Sequence, residues 1–223
     1  MITLKEILNS RGLENCILPI WKLRITESEY SELKETLRSA ISNNEIISFQ
    51  TEATLYYAEW WRREYNGGSP STESLIYNLG FKSSYSEEFY IAAKSGAKQL
   101  KIDFINRRGR NYYFRTMLLQ GGLPINHIRN NEGGFNGYKK FLLGLVKEVQ
   151  SLSIDWNDIS FIETLPCSNY LPISFCNEGI FNLSLQIAHA IVEDREDLLP
   201  YDSEDSEWKK LTEELKNEIS KNV

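Results

Sequence analysis

ATLYYAEWWRREYNGG, residues 53–68, packs five aromatic side chains into one proline-free run and decides how the chain folds. Phe49, Ala53, Tyr57 and Trp60 recur at steps of four, four and three, which places them on one face of a helix. Glu59 and Arg63 stand four apart on another face, acid first, the order that supports a helix. Gly67 and Gly68 are expected to stop that helix, because a glycine takes the left-handed conformation that closes a last turn. Ser69 and Pro70 are expected to start the next one, serine as N-cap and proline at the first helical position.

Trp60–Trp61 beside Arg62–Arg63 admits two readings. The pair of indoles and the pair of guanidiniums could stack bases and bind phosphates, as single-strand binders do. Alternatively Trp60 and Tyr57 are core, while the arginines are solvated or cover an aromatic face by a cation–π contact. Large aromatic side chains in helices are mostly buried, so core is the expectation.

Outward from this stretch the helical pattern repeats. Upstream, a short helix is expected over Thr3–Leu8, and Pro19 interrupts an apolar connection over Cys16–Ile25. Thr26 and Glu29 form a capping box ahead of a helix over Glu27–Ser42, which carries Tyr30, Leu33, Leu37 and Ile41 at helical spacing. Asn43-Asn44 breaks it before the central helix begins near Ile46. Downstream, a short helix ends at Gly80, and Ser84 with Glu87 suggests a second capping box before Phe89, Ala92 and Ala93. Gly96 either ends that helix or lets another approach closely. Leu100–Ile105 reads as a helix end or linker, and Asn106–Gly122 as one helix stopped by Gly121-Gly122 and Pro124. After a loop at Asn130–Gly137, the segment Tyr138–Ser151 has a broad apolar stripe. Residues 152–178 read as a buried connection. Phe181, Leu185, Ala188 and Val192 mark a further helix, and Trp208, Leu211, Leu215 and Ile219 a narrow seam on a last one near Glu207–Lys221.

These periodicities predict an all-α, irregular fold of about seven to nine helices around one core. Residues 1–200 are expected to form the helical domain, with 201–223 an acidic linker and terminal helix that leads into or packs on a partner. A chain of 223 residues with 41% hydrophobic and 25% charged side chains buries a sizeable core without staples. Cys16, Cys167 and Cys176 are an odd set without framework spacing, which suits reduced thiols in a cytoplasm. No run is long enough to span a membrane, so no membrane partner is expected.

Charge is segregated along the chain. Residues 1–100 hold eleven basic and thirteen acidic side chains, 101–147 hold nine and two, and 148–223 hold five and sixteen. Such asymmetry points to a charged partner, or to one half of the chain packing on the other. The candidate phosphate- or partner-binding set is Trp61, Arg62, Arg63, Arg107, Arg108, Arg110, Arg115, His127, Arg129, Lys139 and Lys140. His127 is also a candidate general acid–base, since histidine titrates near neutral pH, but no nucleophile or second partner is identifiable beside it. The chain shows no phosphate-binding loop, nucleophile elbow, metalloprotease helix or zinc-finger spacing, so neither cofactor nor metal is expected.

Together AEWWRREYNGG (58–68) and LLQGGLP (118–124) resemble a pattern in large bacterial proteins carried on genomic islands. The resemblance implies a helical N-terminal region of a larger multidomain protein, with a role in defence against mobile DNA. It transfers no catalytic residue. The resulting expectation is a non-enzymatic interaction domain of a larger cytoplasmic assembly, with a protein partner or further domains. The alternative is a nucleic-acid-binding module that uses the basic segment 107–140.

Overall fold

A computed structural model describes residues 3–11, 19–107, 109–130, 133–151, 178–195, 197, 199–200 and 206–220. It is all-α apart from one small hairpin, with ten α-helices among the described residues. They gather into two compact units rather than around one core, residues 1–124 and 125–223. The division expected at residue 200 adjoins residues 201–205, outside the described set, as do Cys16, Cys167, Cys176 and the connection 152–177.

In the first unit α1 (Leu4–Ser10), α2 (Glu27–Ser42), α4 (Thr72–Asn78), α5 (Ser86–Gln99) and α6 (Tyr113–Leu119) accompany the central helix α3 (Gln50–Arg63). Ten consecutive residues of α3, Glu52 to Trp61, are buried. A helix buried on every side must satisfy its polar groups within the protein, and α3 does so at several points. Glu52 accepts from the backbone N–H of Leu4 at 3.0 Å, so one carboxylate serves the start of α1 and sits in the first turn of α3. Thr54 donates to the Ala93 carbonyl at 2.7 Å, and the Tyr56 hydroxyl to Asn78 Oδ1 at 2.7 Å.

Close approach explains the two glycines that flank α3. Gly96 lies inside α5, and a Cβ there would sit 2.0 Å from the Gln50 carbonyl oxygen. With Ala92, Ala93 and Ala97 it forms a small-residue surface that lets the α5 backbone reach α3. Gly121 follows α6, and a Cβ there would meet the Ala58 carbonyl oxygen at 2.0 Å. Gly96 is a close-approach glycine inside its helix, whereas at Gly121 close approach coincides with the expected stop, since α6 ends at Leu119 and Gly122 takes φ +71°.

Several boundaries differ from the sequence reading, each for a local reason. The capping box of Thr26 and Glu29 forms as expected, and α2 runs from Glu27 to Ser42. The central helix begins at Gln50, after a 3₁₀ turn over Ile46–Ser48, and it ends at Arg63, well short of Gly67. The backbone N–H of Tyr65 bonds back to the Trp60 carbonyl, and its ring stacks on Trp61 with centroids 4.4 Å apart. That contact turns the chain out of the helix before the glycines arrive. Gly67 and Gly68 still take positive φ, in the turn that follows. The next helix is capped by Ser71 rather than Ser69. Ser84 and Glu87 make no capping box, because a 3₁₀ turn over Ser83–Tyr85 runs directly into α5.

Asn106–Gly122 is not one helix. It opens with a hairpin, β1 (Asn106–Arg107) against β2 (Arg110–Asn111), and only then enters α6. Gly109 turns the hairpin at φ +77°, a conformation that costs other residues about 1–2 kcal/mol.

The second unit holds α7 (Ile125–Asn130), α8 (Gly134–Ser151), α9 (Glu178–Val192) and α10 (Ser206–Ser220). The loop expected at Asn130–Gly137 is shorter, since α8 starts at Gly134. Tyr138, Phe141, Leu142, Leu145 and Val146 of α8 are buried, as the apolar stripe requires. Trp208 of α10 packs edge-on against Phe135 and Tyr138, and Leu211 and Leu215 are buried behind it. The narrow seam of the last helix therefore packs inside this unit.

Candidate nucleic-acid interface

The tryptophan–arginine stretch is occupied by the fold. Trp61 is 2% exposed, and its indole N–H donates to the Gly122 carbonyl at 2.9 Å. Neither ring face of a side chain so enclosed can stack on a ligand. Glu59, fully buried, accepts from Arg62 at 2.6 Å and from Arg63 Nε at 2.7 Å through one carboxylate oxygen. Arg63 also pairs with Glu27 at 2.6 Å, donates to the Ile25 carbonyl and lies over the Tyr30 ring. One guanidinium thus ties the end of α3 to the start of α2. Breaking such a buried, hydrogen-bonded pair from one side costs about 3–5 kcal/mol, because the other charge stays buried. Tyr30 in turn donates to Glu64, which also receives Lys34 at 3.0 Å. Burial pushes the phenols of Tyr30, Tyr56 and Tyr57 up, so all three stay protonated donors.

The hairpin is a different environment. Its register pairs Asn106 with Asn111 and Arg107 with Arg110, and a bond from the Tyr112 N–H to the Ile105 carbonyl at 2.9 Å extends the ladder by one step. Asn106 braces the turn by accepting from the Gly109 N–H at 3.2 Å and donating to Asn111 Oδ1 at 2.8 Å. Thr116 ties this ribbon to α6, accepting from the Ile105 N–H at 3.1 Å and donating to the Tyr112 carbonyl at 2.8 Å. Arg110 ends the turn on the second strand and Tyr112 stands at the N-cap of α6 just beyond it, and both are exposed. Arg108 lies outside the described residues.

Tyr113, the first residue of α6, joins the hairpin to α5. Lys94 Nζ stands 4.1 Å from the centre of its ring and Lys98 Nζ 5.8 Å, so two cations one turn apart gather on one ring. Phe104 meets the same ring edge-on at 4.6 Å. The Asn111 amide donates to the Tyr113 hydroxyl at 3.3 Å, and this bond, with both ammonium groups beside it, holds the phenol below its usual range. Lys94 and Lys98 are not among the candidates that the sequence suggests. They lie on another helix, and only packing brings them to the arginine segment.

The remaining candidates are spread over both units. Arg115 is partly buried in α6. In the second unit His127 is buried at 5% exposure, Arg129 lies over the Phe135 ring at 5.8 Å, and Lys139 pairs with Glu214 of α10. Lys140 is exposed. Among the described residues no group of three or more His, Cys, Asp or Glu side chains is placed to hold a metal ion. No helix among them is long and apolar enough to cross a membrane.

Residues 2–123 match the YjiT N-terminal domain, and the chain belongs to that family. The matched region coincides closely with the first compact unit, and it contains the hairpin and nearly all of both motifs whose pattern the sequence carries. No curated protein and no solved structure matches the chain.

Proposed function

As a member of a family defined by an N-terminal domain, this chain is, we propose, a non-enzymatic interaction module of a larger cytoplasmic assembly. Its recognition surface is the basic hairpin with the adjoining turn of α5. One contrast supports this reading. Arg11, Lys34, Arg38, Arg62, Arg63 and Lys139 each have a carboxylate partner within the fold. Lys94, Lys98, Lys101 and Arg110 have no such partner among the described residues. The same holds for Lys5, Lys22, Lys82, Lys140, Lys147, Lys209 and Lys210, but Lys94 and Lys98 differ in being gathered on one ring, that of Tyr113. Uncompensated like charges repel one another and raise the free energy of the isolated module, a cost that an anionic partner removes. The genomic-island setting and the role in defence, implied by the two sequence motifs, belong to the same proposal.

The test is capture from a native-source lysate by the immobilised chain, beside the triple variant Lys94→Gln, Lys98→Gln, Arg110→Gln. A partner retained by the natural sequence and lost by the variant supports the module and its surface. Equal capture of a partner by both overturns the surface, and a monodisperse monomer that retains nothing overturns the module.

A further inference from the structure

We propose that the hairpin and the α5 turn beside it bind single-stranded nucleic acid, with Lys94, Lys98 and Arg110 on phosphates and Tyr112 stacked on a base. The proposal rests on the interaction surface argued above and names its partner.

Charge density comes first. Residues 94–115 carry seven basic side chains and one acidic one, in a chain whose overall net charge is −6. A phosphate backbone is attracted to such a concentration of cations by releasing its own condensed counterions. The cations are also preorganised. Lys94 and Lys98 rest on the Tyr113 ring, so part of the entropy that a free lysine loses on binding is already spent in the fold.

The aromatic component separates a single strand from other anions. Tyr112 is 44% exposed although its backbone is fixed in the ladder, which presents a ring on a rigid support. Ile91, at 48% exposure, precedes Lys94 by three residues and Lys98 by seven, and so extends the same face of α5 with apolar surface. Lys94 and Lys98 on the Tyr113 ring, with the exposed Tyr112 as the next residue back along the chain, suit a strand whose bases are unstacked and whose phosphates run alongside. A duplex keeps its bases paired and would leave Tyr112 without a role. An acidic protein surface would engage the cations and has no matching demand for the ring.

This assignment also moves the interface. Trp61 and Arg63 are committed to the core, and Lys139 to Glu214, so none of them belongs to it.

The experiment is fluorescence anisotropy on the whole chain with a labelled fifteen-nucleotide single strand, its duplex, and labelled poly-glutamate, at low and at physiological salt. The expected result is preference for the single strand, with an affinity that falls steeply with salt. The variant Tyr112→Ala should lose about tenfold for the single strand and nothing for poly-glutamate. The triple variant Lys94→Gln, Lys98→Gln, Arg110→Gln should lose at least about tenfold and reduce the logarithmic salt slope by about 2. Lys140→Gln should change neither. All these positions are at least partly exposed, and circular dichroism checks that the variants fold. Binding of poly-glutamate through the same cations without oligonucleotide binding overturns the nucleic-acid assignment and leaves the interaction module standing. Equal or tighter duplex binding that Tyr112→Ala does not weaken overturns the single-strand assignment. No binding of any probe at low salt overturns the nucleic-acid assignment as well, and the lysate capture then decides the module independently.

Discussion

The indole N–H of Trp61 donates to the carbonyl of Gly122 at 2.9 Å, across 61 residues of sequence. Beside it Gly121 lies flat against the Ala58 carbonyl. Two short motifs far apart in the chain are therefore one contact: the aromatic end of α3 and the glycine turn that closes the first unit. A tryptophan supplies a donor that reaches the carbonyl, and a glycine leaves room for the approach. The co-occurrence of the two motifs thus follows from packing.

Trp61→Phe keeps most of the apolar ring and removes the donor. The Gly122 carbonyl, buried with it, then loses its partner. An unsatisfied buried acceptor costs about 1–3 kcal/mol, so denaturant unfolding should show a loss of that size. Oligonucleotide affinity should be unchanged, because the indole is enclosed. A stable variant with weakened oligonucleotide binding would instead place Trp61 at the interface.

Gly96→Ala and Gly121→Ala each place a methyl group 2.0 Å from a backbone oxygen of α3, at Gln50 and Ala58 respectively. Backbone cannot rotate aside as a flexible side chain can. Each substitution should cost about 3 kcal/mol or more, the upper end of overpacking. Gly80→Ala is the matched control, since its added Cβ meets nothing within 4 Å and only the positive φ of +86° opposes it. That strain is about 1–2 kcal/mol. Equal losses at Gly80 and Gly121 in thermal or denaturant unfolding would contradict the close approach.

Legibility in the sequence follows the range of the interaction. The capping box of Thr26 and Glu29 is decided within four residues, and it forms where the sequence places it. The apolar stripe of α8 needs only a helix and a core. The all-α class follows from the same short-range periodicity. By contrast, α3 ends at Arg63 because Tyr65 folds back onto Trp61, a choice that local glycine preference does not report. The hairpin has two residues per strand, too few for an alternating pattern to show. For the basic residues, type and proximity along the chain are legible and partners are not. Glu59 takes Arg62 and Arg63 into the interior, while Tyr113 draws Lys94 and Lys98 toward the hairpin. Both outcomes depend on which helices meet.

Acid should act on the first unit through Glu29. Its carboxylate receives Arg11 at 2.8 and 3.0 Å and the Thr26 N–H at 2.8 Å, with both charged side chains about one-fifth exposed. The Arg11 bond is the largest of these influences, and together they lower the carboxyl from 4.5 to about 2. A carboxyl depressed in the folded state binds its proton more readily after unfolding. Its stabilisation is therefore complete above the ordinary value of 4.5 and is lost as pH falls toward 2. Arg11→Met retains the apolar stem and removes the charge. At neutral pH it should lower the unfolding free energy by on the order of 1 kcal/mol, given the partial exposure of the pair. The difference from the natural sequence should narrow between about pH 5 and pH 2, because both proteins then approach the same protonated Glu29. Denaturant unfolding at pH 7, 4 and 2.5 measures this directly. A difference that stays constant across the three values would assign the effect of Arg11 to the bonds its guanidinium donates to the Ile7 and Arg24 carbonyls and remove Glu29 as the acid-sensitive group.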